Sequence, residues 1–128
     1  MKKLRVLMLV HDLLLPPPDA EDLDWEETYP YQMELDVQTA LRDLGHDCET
    51  LGVGQEDLDV IRRRAQEFQP HVAFNILTDF HDITAYEAHV VSYFELLKLP
   101  YTGCNPRGIT LGNDKALCKQ ILIWHGIQ

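Results

Sequence analysis

Strand-like and helix-like patterns of hydrophobic and polar residues alternate along the chain. Residues 4–10 are almost continuously apolar, as in a strand that is covered on both faces. Two further strands are predicted at residues 47–53 and 71–77, and a short fourth strand at residues 99–103. Four apolar strands in one chain predict a single buried sheet.

Helical patterns separate these strands. Apolar residues recur every three to four positions in residues 31–44, with Gly45 as a stop, and again in residues 56–68, before Pro70. Residues 84–98 are apolar on more than one face, and a last helix is predicted to follow a cap at Asn113 or Asp114. This alternation predicts a three-layer α/β/α domain with a mainly parallel, four-stranded sheet and right-handed crossovers.

Residues 11–30 are predicted to be a long loop without a helix. The segment contains three consecutive prolines and then a run of acidic residues around Trp25. The acidic run fits a solvated loop and a lid over a substrate equally well. His11, residues 78–82 and residues 103–107 are expected to converge at the carboxyl ends of the strands, where parallel sheets bind ligands.

Composition narrows the class of protein without defining its chemistry. The chain has 128 residues, enough for one domain, and a formal net charge of -10. Such a charge disfavours nucleic acid or an anionic membrane as a partner of the whole surface. No apolar run reaches bilayer length, and three cysteines without a CxxC motif are typical of reduced thiols in a cytoplasmic protein.

Common nucleotide and metal motifs are missing from the sequence. Gly52 and Gly54 have no third glycine in Rossmann spacing, and no P-loop sequence occurs. Polar residues between positions 79 and 89 could surround a metal, namely Asp79, His81, Asp82, Glu87 and His89. The last two would point in different directions on a helix. A polar loop is therefore favoured, and no metal site is predicted.

Lys115 and Lys119 lie four residues apart in the last predicted helix. That spacing places both side chains on one helical face, from which they could reach the same anion. Taken alone, the pair is better explained as part of a solvated helix face.

Several segments together resemble the N-terminal part of the D-alanine–D-alanine ligases and their ATP-grasp relatives. The resemblance rests on Leu96-Leu-Lys-Leu-Pro-Tyr-Thr-Gly103, on Asn113-Asp-Lys115 with Lys119, and on a helix that ends in Gly126-Ile127. It implies a Rossmann-like, substrate-side domain over residues 1–112, followed by a linking helix over residues 113–128 that leads into ATP-grasp domains.

The resemblance also implies a chemistry. Members of this family use ATP and Mg²⁺ to activate a carboxylate as an acyl phosphate, which an amine then attacks. Lys115 would contact the nucleotide phosphates, and Lys119 would be a second, less defined contact. Glu26 or Glu27 is a loose positional match to the family's substrate-placing glutamate, and His11 is expected beside it to face an amino-acid-like substrate. The family often dimerises through this domain, so the helix of residues 86–97 is expected to form such a contact.

Two departures from the family leave the substrate open. Prolines and acidic residues replace a Gly-Gly-x-Ser-x-Glu loop, and residues 78–84 replace a His-Gly-x-x-Gly-Glu-x-Gly segment. The ATP lid and the magnesium-binding carboxylates of the family have no counterpart in the chain. We therefore expect it to fold but to be non-catalytic alone, without tightly bound ATP, and to depend on the missing ATP-grasp domains.

Two alternatives belong to other classes. A free-standing flavodoxin- or receiver-like binding or signalling domain would place acidic residues after its first and third strands, near Asp12 and Asp79. A protein-interaction module would use the apolar face of residues 86–97.

Overall fold

The computed structural model describes residues 2–18, 20, 23–55 and 57–127. Three strands and six α-helices follow one another in these residues: β1 (Arg5–His11), α1 (Trp25–Thr28), α2 (Gln32–Asp43), β2 (Asp47–Val53), α3 (Asp59–Phe68), β3 (Val72–Asn75), α4 (Glu87–Leu96), α5 (Pro106–Asn113) and α6 (Lys115–Trp124). Short 3-10 turns occupy Asp12–Leu14, Tyr29–Tyr31 and Thr84–Tyr86. Glu56, where the second long helix was predicted to begin, lies outside the described residues.

The strands form one parallel sheet in the order β2-β1-β3. Arg5 to His11 pair with Asp47 to Val53 on one side, and β3 pairs with the middle of β1 on the other. Residues 6–10 of this central strand are at most 2% exposed, so both of its faces are covered. This position explains the continuous apolar pattern and confirms a parallel α/β fold.

The predicted fourth strand is reduced to a single bridge. Tyr101 forms an isolated parallel bridge with Ala73 of β3, whose N–H donates to the Pro100 carbonyl at 2.7 Å. Proline has no N–H for a further ladder bond, and Gly103 turns the chain away with a φ of 99°. In the part of the chain that the structure describes, neither a fourth strand nor the three-layer arrangement is confirmed.

The prediction of a loop without a helix over residues 11–30 is wrong at its C-terminal end. The Asp24 carboxylate accepts a hydrogen bond from the Glu27 N–H at 3.0 Å, and the Glu27 carboxylate accepts one from the Asp24 N–H at 3.3 Å. This capping box begins α1, because carboxylates in a first turn satisfy free backbone N–H groups and favour the helix dipole. Part of the acidic run is therefore a helix start.

The helix α5 was also absent from the prediction. The Asn105 side chain accepts a hydrogen bond from the Gly108 N–H at 2.8 Å, and Pro106 occupies the first helical position. Both features indicate a helix start, but the predicted elements include only the strand before this segment and the helix after it. Asp114 then caps α6, as predicted, by accepting a hydrogen bond from a backbone N–H three residues later.

The core lies where β1, α3 and α4 meet. Its buried side chains include Leu9, Val53, Ile61, Ala73, Leu77, Val90, Val91 and Phe94. The helix expected to mediate a dimer therefore places much of its apolar surface in the chain's own core. No helix within the described ranges has the length and apolar character needed to cross a bilayer.

Candidate functional site

Polar side chains meet where β1 and β3 end. Since β2 and β3 flank β1 on opposite sides, the strand order reverses beside β1. Open parallel sheets bind ligands at such a topological switch point. His11 is the last residue of β1, and Asp79 follows β3 in sequence. His11 Nε2 lies 3.4 Å from Asp79 Oδ1. The structure thus brings together two of the regions predicted to converge; substrate binding by His11 stays a prediction.

Asp12 lies on the other side of the same imidazole. Its Oδ1 atom is 3.0 Å from His11 Nδ1, and the Leu13 N–H points at both atoms, at distances of 2.9 Å and 3.2 Å, respectively. The His11 side chain is 10% exposed, whereas the Asp12 and Asp79 side chains are 31% and 26% exposed. One nearly buried imidazole therefore lies between two partly shielded carboxylates.

Gly54, directly after β2, leaves space for the Asp12 carboxylate. A Cβ atom at Gly54 would lie 2.7 Å from Asp12 Cγ, well below a normal carbon–carbon contact. The Asp12 Oδ2 atom also accepts a hydrogen bond from the Gln55 N–H at 3.3 Å. The absence of a side chain at Gly54 thus allows close packing against Asp12 and does not indicate a nucleotide-binding turn.

A tight turn follows Asp79 and closes this edge of the sheet. Phe80 and Ile83 form an antiparallel bridge, and His81 and Asp82 between them have φ angles of 55° and 57°. Two consecutive left-handed residues give the geometry of a type I′ turn, and His and Asp tolerate this region better than most residues. The His81 N–H donates to the carbonyl of residue 54 at 3.1 Å, which joins the turn to the end of β2.

His11, Asp79 and Asp82 form a group of potential metal ligands. Their donor atoms all lie within 4.8 Å of one another. The Gln55 side-chain amide donates a hydrogen bond to Asp82 Oδ2 at 3.1 Å. The sequence pattern groups these two aspartates with His81, Glu87 and His89, and not with His11. Only the pairing of β1 with β3 brings it there.

The other predicted substrate residues lie on α1. Glu26 and Glu27 are exposed, and Glu27 takes part in the capping box with Asp24. The buried carboxylate of this region is Glu34 in α2, at 2% exposure, which no pattern in the sequence indicates. A contact of Glu26 or Glu27 with a substrate stays a prediction.

Lys115 and Lys119 are both exposed on α6, one turn apart. Lys115 lines a cavity of about 340 Å³ with Asp114 and Ala88, whereas Lys119 lines an apolar cavity of about 400 Å³ with Leu122. The Asp114 carboxylate accepts a hydrogen bond from the Leu117 N–H and adds a negative charge at the start of this helix, so a phosphate here would be attracted mainly by the lysine ammonium groups. Contact with a nucleotide stays a prediction for both lysines.

The three cysteines are free thiols, as predicted. Burial raises the pKa of the Cys48 thiol in β2, and nearby Arg42 partly counteracts this effect. A raised pKa lowers the thiolate fraction at neutral pH, so Cys48 has the character of a structural thiol rather than a nucleophile.

One curated protein provides a comparison. The D-alanine–D-alanine ligase of Moorella thermoacetica is 33% identical to this chain over 91 residues, which represent 71% of the chain. The match covers only 27% of the ligase, so the chain corresponds to a minor part of that enzyme. No protein-family model and no solved structure matches the chain. The comparisons therefore support a ligase-like relationship through partial similarity to one D-alanine–D-alanine ligase.

Proposed function

We propose that the chain is the N-terminal, substrate-side domain of an ATP-dependent carboxylate–amine ligase. The observation that carries this proposal is the 33% identity over 91 residues to a D-alanine–D-alanine ligase. The parallel sheet supports it, because the polar cluster at the ends of β1 and β3 occupies the edge where such a domain would face a small substrate.

The proposed reaction is ligation through an acyl phosphate. A substrate carboxylate oxygen attacks the γ-phosphorus of ATP, and ADP leaves. The amine of a second amino-acid-like substrate then attacks the activated carbonyl carbon, inorganic phosphate leaves, and the amine loses a proton. In this scheme Lys115 and Lys119 neutralise part of the phosphate charge, and Glu26, Glu27 and His11 lie on the substrate side.

The described residues fit only a part of a nucleotide site. Lys115 offers an exposed ammonium group beside a cavity, which suits one phosphate contact. Mg²⁺ prefers an all-oxygen environment with several waters, whereas the metal-ligand group found in the described ranges includes the imidazole of His11. Mg²⁺–ATP would therefore need residues of further domains, and we propose that this chain alone neither hydrolyses ATP nor binds it tightly.

The test is amino-acid-dependent release of phosphate from ATP by the full-length gene product. D-alanine and a panel of other D- and L-amino acids serve as substrates. We expect Lys115→Ala to lower kcat/KM by about 10- to 100-fold, as for the loss of one hydrogen bond to a charged group. Lys3→Ala removes another exposed lysine, near β1, and should leave kcat/KM unchanged. Phosphate release that no amino acid stimulates would contradict the proposal.

We also propose that the segment of residues 86–97 contributes to a dimer of the ligase. Tyr86 and Leu96 remain 38% and 80% exposed, although other apolar residues of α4 are buried. Leu96→Glu should shift sedimentation towards the monomer if this face forms the contact. An unchanged sedimentation coefficient would place the contact elsewhere.

A second candidate function is a receiver-like signalling domain. Asp12 and Asp79 follow the carboxyl ends of two adjacent parallel strands, β1 and β3. Their side chains are partly exposed, as a phosphorylation site would require. Incubation with acetyl phosphate should then add the mass of one phosphoryl group at Asp79. If the mass does not increase, the receiver-like function is ruled out.

A further inference from the structure

The cluster at the ends of β1 and β3 contains a buried acceptor without a donor. Asp79 Oδ1 is inaccessible to water and has no hydrogen-bond partner. It lies 3.4 Å from His11 Nε2, but the two atoms do not form a hydrogen bond. A buried carboxylate oxygen without a partner is costly, and a cation between these two atoms would remove that cost.

We propose that His11, Asp79 and Asp82 bind a divalent cation of the zinc type. The ligands would be His11 Nε2 and one carboxylate oxygen from each aspartate. Zinc bonds of about 2.0–2.1 Å place tetrahedral ligand atoms about 3.3 Å apart, which matches the 3.4 Å between His11 Nε2 and Asp79 Oδ1. The donor atom of Asp82 lies within 4.8 Å, so a small shift of this exposed side chain completes the set.

Two residues that are not ligands themselves, Asp12 and Gln55, orient His11 and Asp82, respectively. With a metal on Nε2, the proton of His11 would be on Nδ1 and would point at Asp12 Oδ1 at 3.0 Å, an arrangement that orients metal-binding histidines. The Leu13 N–H, which lies 3.2 Å from Nδ1, would then donate to Asp12 Oδ1 alone, at 2.9 Å. The Gln55 amide donates to Asp82 Oδ2 and leaves the other oxygen of that carboxylate for the metal. The imidazole is itself 10% exposed, so its position is fixed by packing as well.

The ligand types decide which metal is expected. One imidazole nitrogen with two carboxylate oxygens suits Zn²⁺, whereas Mg²⁺ selects oxygen ligands and retains its waters. Three protein ligands leave a fourth tetrahedral position, which water or a substrate oxygen can occupy. This site is independent of the proposed phosphate contacts on α6.

Zn²⁺ binding by the 128-residue chain, measured by isothermal titration calorimetry, tests the proposal. Cys104→Ser and Cys118→Ser form the parent background, so that these two thiols cannot bind the metal. We expect one Zn²⁺ per chain and at least tenfold weaker binding of Mg²⁺. Asp12→Asn should weaken Zn²⁺ binding by about 10- to 100-fold, as for other partners of a ligating histidine.

His11→Ala and Asp79→Asn should weaken Zn²⁺ binding at least as much as Asp12→Asn. His89→Ala removes an exposed histidine on α4 and should bind Zn²⁺ like the parent. Asp79→Asn has nearly the same shape and removes the charge from an oxygen that has no hydrogen-bond donor, so its melting temperature without metal should equal or exceed that of the parent. Zn²⁺ should raise the melting temperature of the parent and not that of Asp79→Asn.

Three results would overturn the metal site. These are no Zn²⁺ binding by the parent, equal affinity for Mg²⁺, and Zn²⁺ binding that His11→Ala and Asp79→Asn leave unchanged. If His11→Ala does not fold, the comparison of the parent with Asp79→Asn still decides. None of these results depends on ligase activity, so the metal site and the proposed function can fail separately.

Discussion

The substitution Gly54→Ala tests whether the close contact between Gly54 and Asp12 shapes the candidate site. The added Cβ atom would lie 2.7 Å from Cγ and 3.0 Å from Oδ2 of Asp12. Asp12 cannot rotate away freely, because it accepts hydrogen bonds from the N–H groups of Leu13 at 2.9 Å and Gln55 at 3.3 Å. Either the backbone at residue 54 or the Asp12 carboxylate must therefore move.

Each movement has an expected cost. Overpacking of a close contact destabilises a protein by about 1–3 kcal/mol. A lost hydrogen bond to a charged group costs about 1.5–3 kcal/mol. These costs are alternatives, since movement of the carboxylate relieves the overlap, and water reaches part of the Asp12 side chain, which is 31% exposed. We expect Gly54→Ala to lower the free energy of unfolding by about 2 kcal/mol.

Urea unfolding followed by circular dichroism measures this change in a double-mutant cycle. In an Asp12→Ala background the obstacle is gone, so Gly54→Ala should cost less than about 0.5 kcal/mol. Gly112→Ala is the control, because a Cβ at that helical position meets nothing within 4 Å and should stabilise by about 0.5–1 kcal/mol. An equal cost of Gly54→Ala in both backgrounds would refute the overlap with Asp12 as its cause.

Two further predictions concern the region around α5. In urea unfolding, Asn105→Ala should destabilise the chain by about 1 kcal/mol, because the Gly108 N–H loses its capping acceptor. Asn105→Asp keeps an acceptor and should retain stability. Equal losses of stability in both variants would argue against capping. Burial and a 2.9 Å hydrogen bond to Glu95 raise the pKa of Tyr101. Its contribution to stability is therefore complete below the unfolded pKa of about 10 and is lost as the pH rises through the folded pKa. The midpoint of the tyrosinate absorbance of wild type minus Tyr101→Phe should lie above pH 10, and a midpoint at or below that pH would contradict the assignment.

Much of the fold was predictable from local patterns. The limits of β2 agree with the prediction, and α2 ends before Gly45, whose φ of 81° suits a helix stop. The segment around Tyr101 has strand-like residues, but whether it extends a ladder depends on the N–H groups available for pairing. Pro100 withholds one of them, and the pattern of side chains alone does not reveal where pairing stops.

The candidate site was predictable only in part. Sheet topology predicted that His11 and residues 78–82 would converge, and the contact of His11 with Asp79 confirms this. The group of potential metal ligands was not predicted. It depends on the backbone conformation of the turn at residues 80–83, which places Asp82 near the ends of β1 and β3. The close approach of Gly54 to Asp12 was not predictable either, because the two residues lie in segments that are distant in sequence.

The central position of β1 has a consequence for how the chain acquires its structure. Val6 pairs with Cys48 on one side and with Val72 on the other, so both neighbours lie far along the chain. During synthesis β1 leaves the ribosome long before β3, and a nascent chain with only β1 and β2 has an apolar strand with one unpaired edge. Folding should be limited by these long-range closures, and the nascent chain should be most prone to aggregate just before β3 emerges.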